Sequence, residues 1–159
     1  MQFDPSRRIP RIALNSRFGE QIAFGAGALG RGVSLGLTGT VRPVDRLDLQ
    51  LYVARQWLNV VSQRLFTADV QRLRAQYSFS NRSLVRVITQ YQKTAPVSDF
   101  GGSFLGSVLY SYKLNWQTVL FAGYGDNRTL VSDEDVLAQT HLRPTERSLF
   151  FKISYAIIK

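Results

Sequence analysis

Leu47-Asp48-Leu49-Gln50-Leu51-Tyr52-Val53-Ala54-Arg55-Gln56-Trp57 decides the fold. Leu47, Leu49, Leu51, Val53 and Trp57 fall on one parity, and Arg46, Asp48, Gln50, Tyr52 and Gln56 on the other. Side chains alternate faces along a strand, so this is a period of two and not the 3.6 of a helix. The segment predicts a β-strand with one apolar and one mostly polar face.

The same alternation extends both ways. Upstream, Val33, Leu35, Leu37 and Val41 oppose Ser34, Thr38, Thr40 and Arg42. Downstream, Leu73, Ala75, Tyr77 and Phe79 oppose Arg72, Arg74, Gln76 and Ser78. Val85, Val87 and Tyr91 oppose Arg86, Gln90 and Gln92; Phe104, Val108, Tyr110 and Tyr112 oppose Ser107, Ser111 and Lys113. Residues 118–125 are apolar on both parities, and their outward side is left open. At the end, Leu149, Phe151, Ile153, Tyr155 and Ile157 oppose Ser148, Lys152 and Ser154. Near the start, Ile22, Phe24, Ala26 and Ala28 form a Gly-rich first strand, and a turn or bulge is expected at Gly30-Arg31-Gly32 where the parity changes.

The connections alternate in length. Arg42-Pro43-Val44-Asp45, Phe79-Ser80-Asn81-Arg82 and Leu114-Asn115-Trp116-Gln117 read as tight turns, whereas residues 59–65, 93–103 and 126–147 read as longer loops. Transmembrane barrels of the bacterial outer membrane combine short periplasmic turns with longer outer loops. About eight strands of about ten residues suit a tilted membrane strand. The expected fold is therefore all-β: a small, closed, antiparallel up-and-down transmembrane barrel of about eight strands. Residues 1–19, basic and carrying Pro5 and Pro10, are expected as an N-terminal linker, and residues 20–159 as the barrel.

Composition agrees. The 159 residues suffice for one domain. No run of about 18 apolar residues marks a transmembrane helix, and a mean hydropathy of -0.09 is ordinary for strands that are half lipid-facing and half lumen-facing. There is no cysteine, hence no disulfide framework and no thiolate metal site. Met1-Gln2-Phe3-Asp4 lacks the features of a signal peptide. An outer-membrane chain needs one, so the expectation is either that Met1 replaces it or that this is the C-terminal part of something longer. Lys and Arg total 20 against 11 Asp and Glu, a net charge of +9. The basic residues are spread singly along the strands and not clustered, which favours lumen and loop arginine over nucleic-acid binding. Outer-membrane lipid or lipopolysaccharide is the expected acidic neighbour.

Two residue sets stand out. Arg42, Arg46, Asp48, Arg72, Arg74, Arg86, Lys113 and Lys152 fall on the polar parity and are expected to line the lumen. Buried charges there must pair or be hydrated. The interior of a barrel of about eight strands is filled by side chains, which favours a hydrogen-bonded plug over an open anion pathway. Trp57, Tyr77, Phe79, Tyr91, Tyr110, Tyr112 and Tyr155 end outward faces near turns and are expected as aromatic girdles.

Catalytic chemistry finds little support. His141 is the single histidine, and no Gly-x-Ser-x-Gly elbow accompanies it. Asp133-Glu134-Asp135 has no calcium-loop spacing and reads as a solvated acidic loop. Gly25, Gly27, Gly30, Gly32, Gly36 and Gly39 lie in strand pattern with no following helix, so they do not make a phosphate loop. No enzyme activity, metal or cofactor is expected.

Particular words also recur. Leu65-Phe66-Thr67-Ala68-Asp69-Val70-Gln71-Arg72-Leu73-Arg74-Ala75-Gln76-Tyr77-Ser78-Phe79 is followed by Ser83-Leu84-Val85-Arg86 and Gln90-Tyr91. Later come Tyr112-Lys113-Leu114-Asn115-Trp116-Gln117-Thr118-Val119-Leu120-Phe121, Gly123-Tyr124, and Arg147-Ser148-Leu149-Phe150-Phe151-Lys152-Ile153-Ser154-Tyr155. From about Gly30 onward the chain resembles the C-terminal end of the outer-membrane barrel family called domain of unknown function 5916. The resemblance implies an outer-membrane barrel, which in that family usually follows a family 9-type carbohydrate-binding module, absent from this sequence. It transfers no activity and no site residues. The last strand also resembles the signal read by the outer-membrane assembly machinery, with Lys152, Ser154 and Ile157 in the corresponding places and Lys159 where an aromatic is usual.

The functional expectation is an outer-membrane barrel, structural or forming a narrow, weakly anion-preferring pore. One alternative is the membrane anchor of a larger carbohydrate-binding protein; another is a soluble ligand-binding barrel. The sequence leaves the oligomeric state open.

Overall fold

The computed structural model describes residues 2–3, 6–23, 28–60, 63–96, 101–132 and 140–156. Among these there is no helix. The strands are β1 (Gln2–Phe3), β2 (Arg11–Ala23), β3 (Ala28–Val44), β4 (Leu47–Val60), β5 (Gln63–Ser78), β6 (Ser83–Pro96), β7 (Gly101–Lys113), β8 (Thr118–Ser132) and β9 (Thr140–Tyr155). They form one sheet in sequence order, every neighbouring pair antiparallel. Eight long strands going up and down is the expected architecture. The described ladders run from β1 to β9, and among the described residues none joins β9 back to β2.

The expected tight turns stand between β5 and β6 and between β7 and β8, and the one expected at Arg42-Pro43-Val44-Asp45 moves to Asp45-Arg46, because β3 runs on to Val44. The β7–β8 turn is held by an asparagine: Asn115 Oδ1 accepts hydrogen bonds from the backbone N–H of Gln117 at 2.9 Å and of Thr118 at 2.7 Å. A side chain that bonds its own backbone two residues on makes such a turn without help from the rest of the fold.

Five boundaries differ from expectation. The linker expected over residues 1–19 is corrected: β2 begins at Arg11 and pairs with β3 over its whole length, so Ile12, Leu14 and Phe18 belong to the apolar face. Proline stops at Pro10, just before the strand. The parity change near Gly30 is not a bulge, because β3 runs unbroken through it and Gly30 pairs in register with Gln21. The single Gly-rich strand expected over Ile22, Phe24, Ala26 and Ala28 is corrected too: Ile22 belongs to β2 and Ala28 to β3, which pair with each other, while Phe24 and Ala26 lie outside the described residues. The loop expected over 59–65 shrinks to the gap between Val60 and Gln63, and that over 126–147 to the gap between Ser132 and Thr140. Register shifts at Leu58/Asn59 and Asn127/Arg128 explain both: one extra residue swaps the faces, and the alternation that marks a strand is lost just where the strand continues. Likewise β6 reaches Pro96 and β7 begins at Gly101.

The register is staggered. Leu51 pairs with Leu73, Leu73 with Thr89, Thr89 with Gly106 and Gly106 with Asp126. Measured from the short-turn end of each strand, these residues lie four, five, six, seven and eight positions in. A climb of one residue per strand, at ~3.3 Å rise and ~4.8 Å spacing, corresponds to a strand tilt of about 35°.

The sheet has almost no core. Among the described residues only Ala13 and Leu58 are buried hydrophobics, and Thr40 is the buried polar residue. Large apolar side chains stay exposed, reaching 77% at Phe151 and 72% at Ile153. A single layer of this kind leaves its apolar face to be covered by something other than this chain.

Candidate functional site

The register assigns each side chain to a face. Leu37, Val53, Gln71, Tyr91, Phe104 and Arg128 form one continuous row from β3 to β8; Leu51, Leu73 and Thr89 lie on the same face. This is the apolar face. It also settles β8, whose Leu120, Ala122 and Tyr124 pair with Tyr112, Tyr110 and Val108. All seven expected girdle residues share its parity, in two tiers. Tyr77, Phe79, Tyr110, Tyr112 and Tyr155 stand at the short-turn end, and Trp57 and Tyr91 towards the other, with Phe104 beside Tyr91. In the lower tier Tyr77 and Phe79 meet edge to face at 4.9 Å. Ser83 Oγ donates to Tyr110 Oη at 3.1 Å, and Tyr155 Oη donates to Gln117 Oε1 at 3.3 Å. The phenols thus turn their polar ends to the turn region and leave their rings on the apolar face.

Charges that sequence reading left out also occupy this face. Arg55 Nε lies 3.3 Å from Asp69 Oδ1, and the next register partner of Asp69 is Lys93. On β8 and β9, Arg128 holds Asp126 Oδ2 through Nε at 2.9 Å and Nη2 at 2.7 Å, and Arg147 approaches Oδ1 at 3.6 Å. Arg55, Asp126 and Arg147 each lie eight residues from the short-turn end of their strands, and Asp69 lies nine. They make a charged collar at one height, level with Tyr91 and Phe104. Below it the face is mostly apolar down to the lower aromatic tier, with Gln71, Thr89, Tyr124 and Phe151 set among its aliphatic residues, a band of about 20 Å along the axis of strands so tilted. The signal for the collar was in the sequence: Arg55 shares parity with Leu51 and Val53, and Asp126 with Leu120 and Tyr124.

Of the expected lumen set, Asp48, Arg72, Arg74, Arg86, Lys113 and Lys152 are placed on the opposite face by their register, and Arg42 by its contact there; Arg46 sits in the β3–β4 turn. Arg42 Nε pairs with Asp48 Oδ2 at 2.9 Å. Arg72 Nε donates to Gln90 Oε1 at 2.8 Å, and Gln90 Nε2 to Gln92 Oε1 at 3.4 Å. Arg86 donates to Gln76 Oε1 through Nε at 3.2 Å and Nη2 at 3.0 Å, and Arg74 Nη2 reaches the same oxygen at 3.4 Å. Amide oxygens orient these guanidinium groups without neutralising them. Among the described residues no carboxylate pairs with Arg72, Arg74 or Arg86. The face as a whole therefore presents positive charge held in place by neutral acceptors.

His141 lies on β9 opposite Val131, and Arg143 Nε donates to its Nε2 at 3.0 Å. Asp133-Glu134-Asp135 and Ile157 lie outside the described residues. Among the described residues no three His, Cys, Asp or Glu side chains group to hold a metal ion, and no helix is long and apolar enough to cross a membrane.

Comparison of the chain with protein-family models, with curated proteins and with solved structures returns no match. The sheet itself defines the class: an all-β protein built as one antiparallel up-and-down meander, with an apolar face and an arginine-glutamine face.

Proposed function

We propose that this chain forms a transmembrane β-barrel of the bacterial outer membrane, apolar face to lipid and arginine-glutamine face to a narrow, weakly anion-preferring lumen. The observation that carries the reading is the way the apolar face is bounded. A mostly apolar band of about 20 Å lies between an aromatic tier at the short turns and a tier of aromatics and ion pairs above, on the scale of the ~25 Å apolar band of such barrels. In water that face would be a large unsatisfied apolar surface; in lipid it is solvated. Closure follows from the same reading, because a sheet edge facing hydrocarbon leaves backbone N–H and C=O groups without partners. Outer-membrane lipid or lipopolysaccharide is then the surrounding partner, and the assembly machinery the factor that inserts the chain. The resemblance to the barrel family named above points the same way.

The arginine-glutamine bonds across β5 and β6 favour a lumen filled by side chains. The barrel is accordingly structural, or conducts anions weakly through the gaps in that network. The test is refolding into lipid vesicles and a planar bilayer. Protease-resistant insertion is expected, with small anion-selective conductance or none. A chain that stays in the aqueous phase without detergent overturns the membrane reading, and cation-selective conductance overturns the assignment of the arginine face to the lumen.

A further inference from the structure

Across β6 to β9 the arginine face changes character. One row reads Arg86, Leu109, Gly123, Phe150, and the next reads Ile88, Ser107, Gly125, Ser148. The glycines make room: a Cβ on Gly123 would overlap the Phe150 ring, and one on Gly125 would stand 2.9 Å from Ser148 Oγ. The Phe150 ring therefore lies down across β8. With Arg86, Ile88, Leu105, Leu109 and Asn127 it lines a cavity of about 340 Å3.

The two ends of this cavity differ chemically. Arg86 lines the β6 end, and just outside the lining Gln76 Oε1 takes hydrogen bonds from both Arg86 and Arg74, so one neutral oxygen holds two cations together. Arg74 Nε is shielded from solvent and makes no hydrogen bond. Two guanidinium groups converging on a single amide oxygen, with an unused donor beside them, form a fork that an oxyanion would complete. The middle of the cavity is apolar, from Ile88, Leu109 and Phe150, with the Ser107 and Ser148 hydroxyls between them. At the far side Asn127 Nδ2 donates to Glu146 Oε2 at 3.3 Å; the acid nearest Arg86 on this face is Asp48, two strands away in the same row and already paired with Arg42 at 2.9 Å.

We propose that this cavity binds a small amphipathic oxyanion, its carboxylate or phosphate head on Arg86 at the β6 end, beside the neighbouring charge of Arg74, and its apolar body over Leu109, Ile88 and Phe150. The inference deepens the reading above and rests on it for one point, that the arginine face is the enclosed one. A head bound by a guanidinium fork and a body bound by desolvation are two separable contributions.

The test is calorimetric titration of the full chain, folded in uncharged-detergent micelles, with phenyl phosphate, inorganic phosphate and benzyl alcohol; empty micelles give the baseline. Phenyl phosphate is expected to saturate, inorganic phosphate to bind more weakly, and benzyl alcohol to match the baseline. Arg86→Gln should weaken phenyl phosphate about tenfold. Leu109→Ser should weaken phenyl phosphate several-fold and leave inorganic phosphate unchanged. Arg86→Lys, which keeps the charge and loses the fork, should lie between wild type and Arg86→Gln, and far-UV circular dichroism establishes that each variant folds. Absence of saturable binding, or equal binding by folded Arg86→Gln, overturns the site. A chain that inserts into vesicles without binding overturns the site alone; one that binds yet needs no detergent overturns the barrel reading alone.

Discussion

Arg55 and Asp69 face each other across β4 and β5, 3.3 Å apart, on the face otherwise given to Leu51, Val53 and Leu73. An ion pair among aliphatic side chains is costly in hydrocarbon and cheap at its margin, so its position reads as a boundary. A charge placed lower should cost more. Leu51→Arg is expected to destabilise the folded chain in lipid vesicles by about 2–4 kcal/mol, and Arg55→Leu by no more than about 1 kcal/mol. Denaturant unfolding in vesicles measures both. Equal costs at the two positions would remove the boundary.

The stagger makes a prediction about closure. The path from Ile12 through Gly39 and Leu51 climbs one residue per strand from β4 to β8; if closure keeps that average climb around the ring, the path returns to β2 about eight residues on, at Glu20. That path leaves β8 at Asp126 and meets β9 at Arg147. Closure in this register sets Glu20 beside Arg147 and Phe18 beside Leu149. The chain has no cysteine, so the doubly substituted Phe18→Cys, Leu149→Cys protein should form one intramolecular disulfide on oxidation, seen as a mobility shift under denaturing electrophoresis. Phe18→Cys with Ile153→Cys should not. A cross-linked dimer instead would mean that the two edges meet between copies.

Gly30 and Gly123 should respond differently to alanine. At Gly30 a Cβ would stand 2.6 Å from the backbone oxygen of Asn59, which cannot move without breaking the β3–β4 ladder. At Gly123 the obstacle is the ring of Phe150, on an exposed strand and free to swing aside. Gly30→Ala is expected to cost about 2–3 kcal/mol and Gly123→Ala about 1 kcal/mol. The second loss should shrink when Phe150 is already Ala, which a double-mutant cycle reads directly.

Asn115 tests the turn chemistry. Asn115→Ala removes the acceptor of two backbone N–H groups and should cost about 1 kcal/mol. Asn115→Asp, which retains that acceptor, should recover most of the loss in the same unfolding assay.

Much of this fold was legible because strand parity is a local property. Leu47 to Val53 show it in seven residues, and Asn115 marks a turn by itself. The collar was hidden for a different reason: Arg55 reads as an interruption of an apolar row until Asp69, fourteen positions on, is known to stand opposite. Pairing across strands is set by register, and register is spread over the whole ladder. The extra residues at the two bulges, Leu65 on β5 and Thr145 on β9, shifted the alternation beyond them, so the upper ends of β5 and β9 read as loop. In β2, Arg11, Ser16 and Arg17 beside Pro10 outweighed the apolar parity of Ile12, Leu14 and Phe18. On the other face the arginines were visible one by one, whereas the sharing of Gln76 Oε1 between Arg74 and Arg86 depends on β5 lying against β6.

The sheet's sequential order bears on how the chain is assembled. Every described ladder joins strands adjacent along the chain, so each hairpin can form with a short loop-closure cost and template the next. Closure alone would ask the first and last long strands to find each other. That step carries the largest entropy penalty and so becomes the kinetic bottleneck. In the proposed barrel β9 would keep a free edge until that step is complete, a natural handle for a folding catalyst that grips a strand and lets go when the ring is sealed.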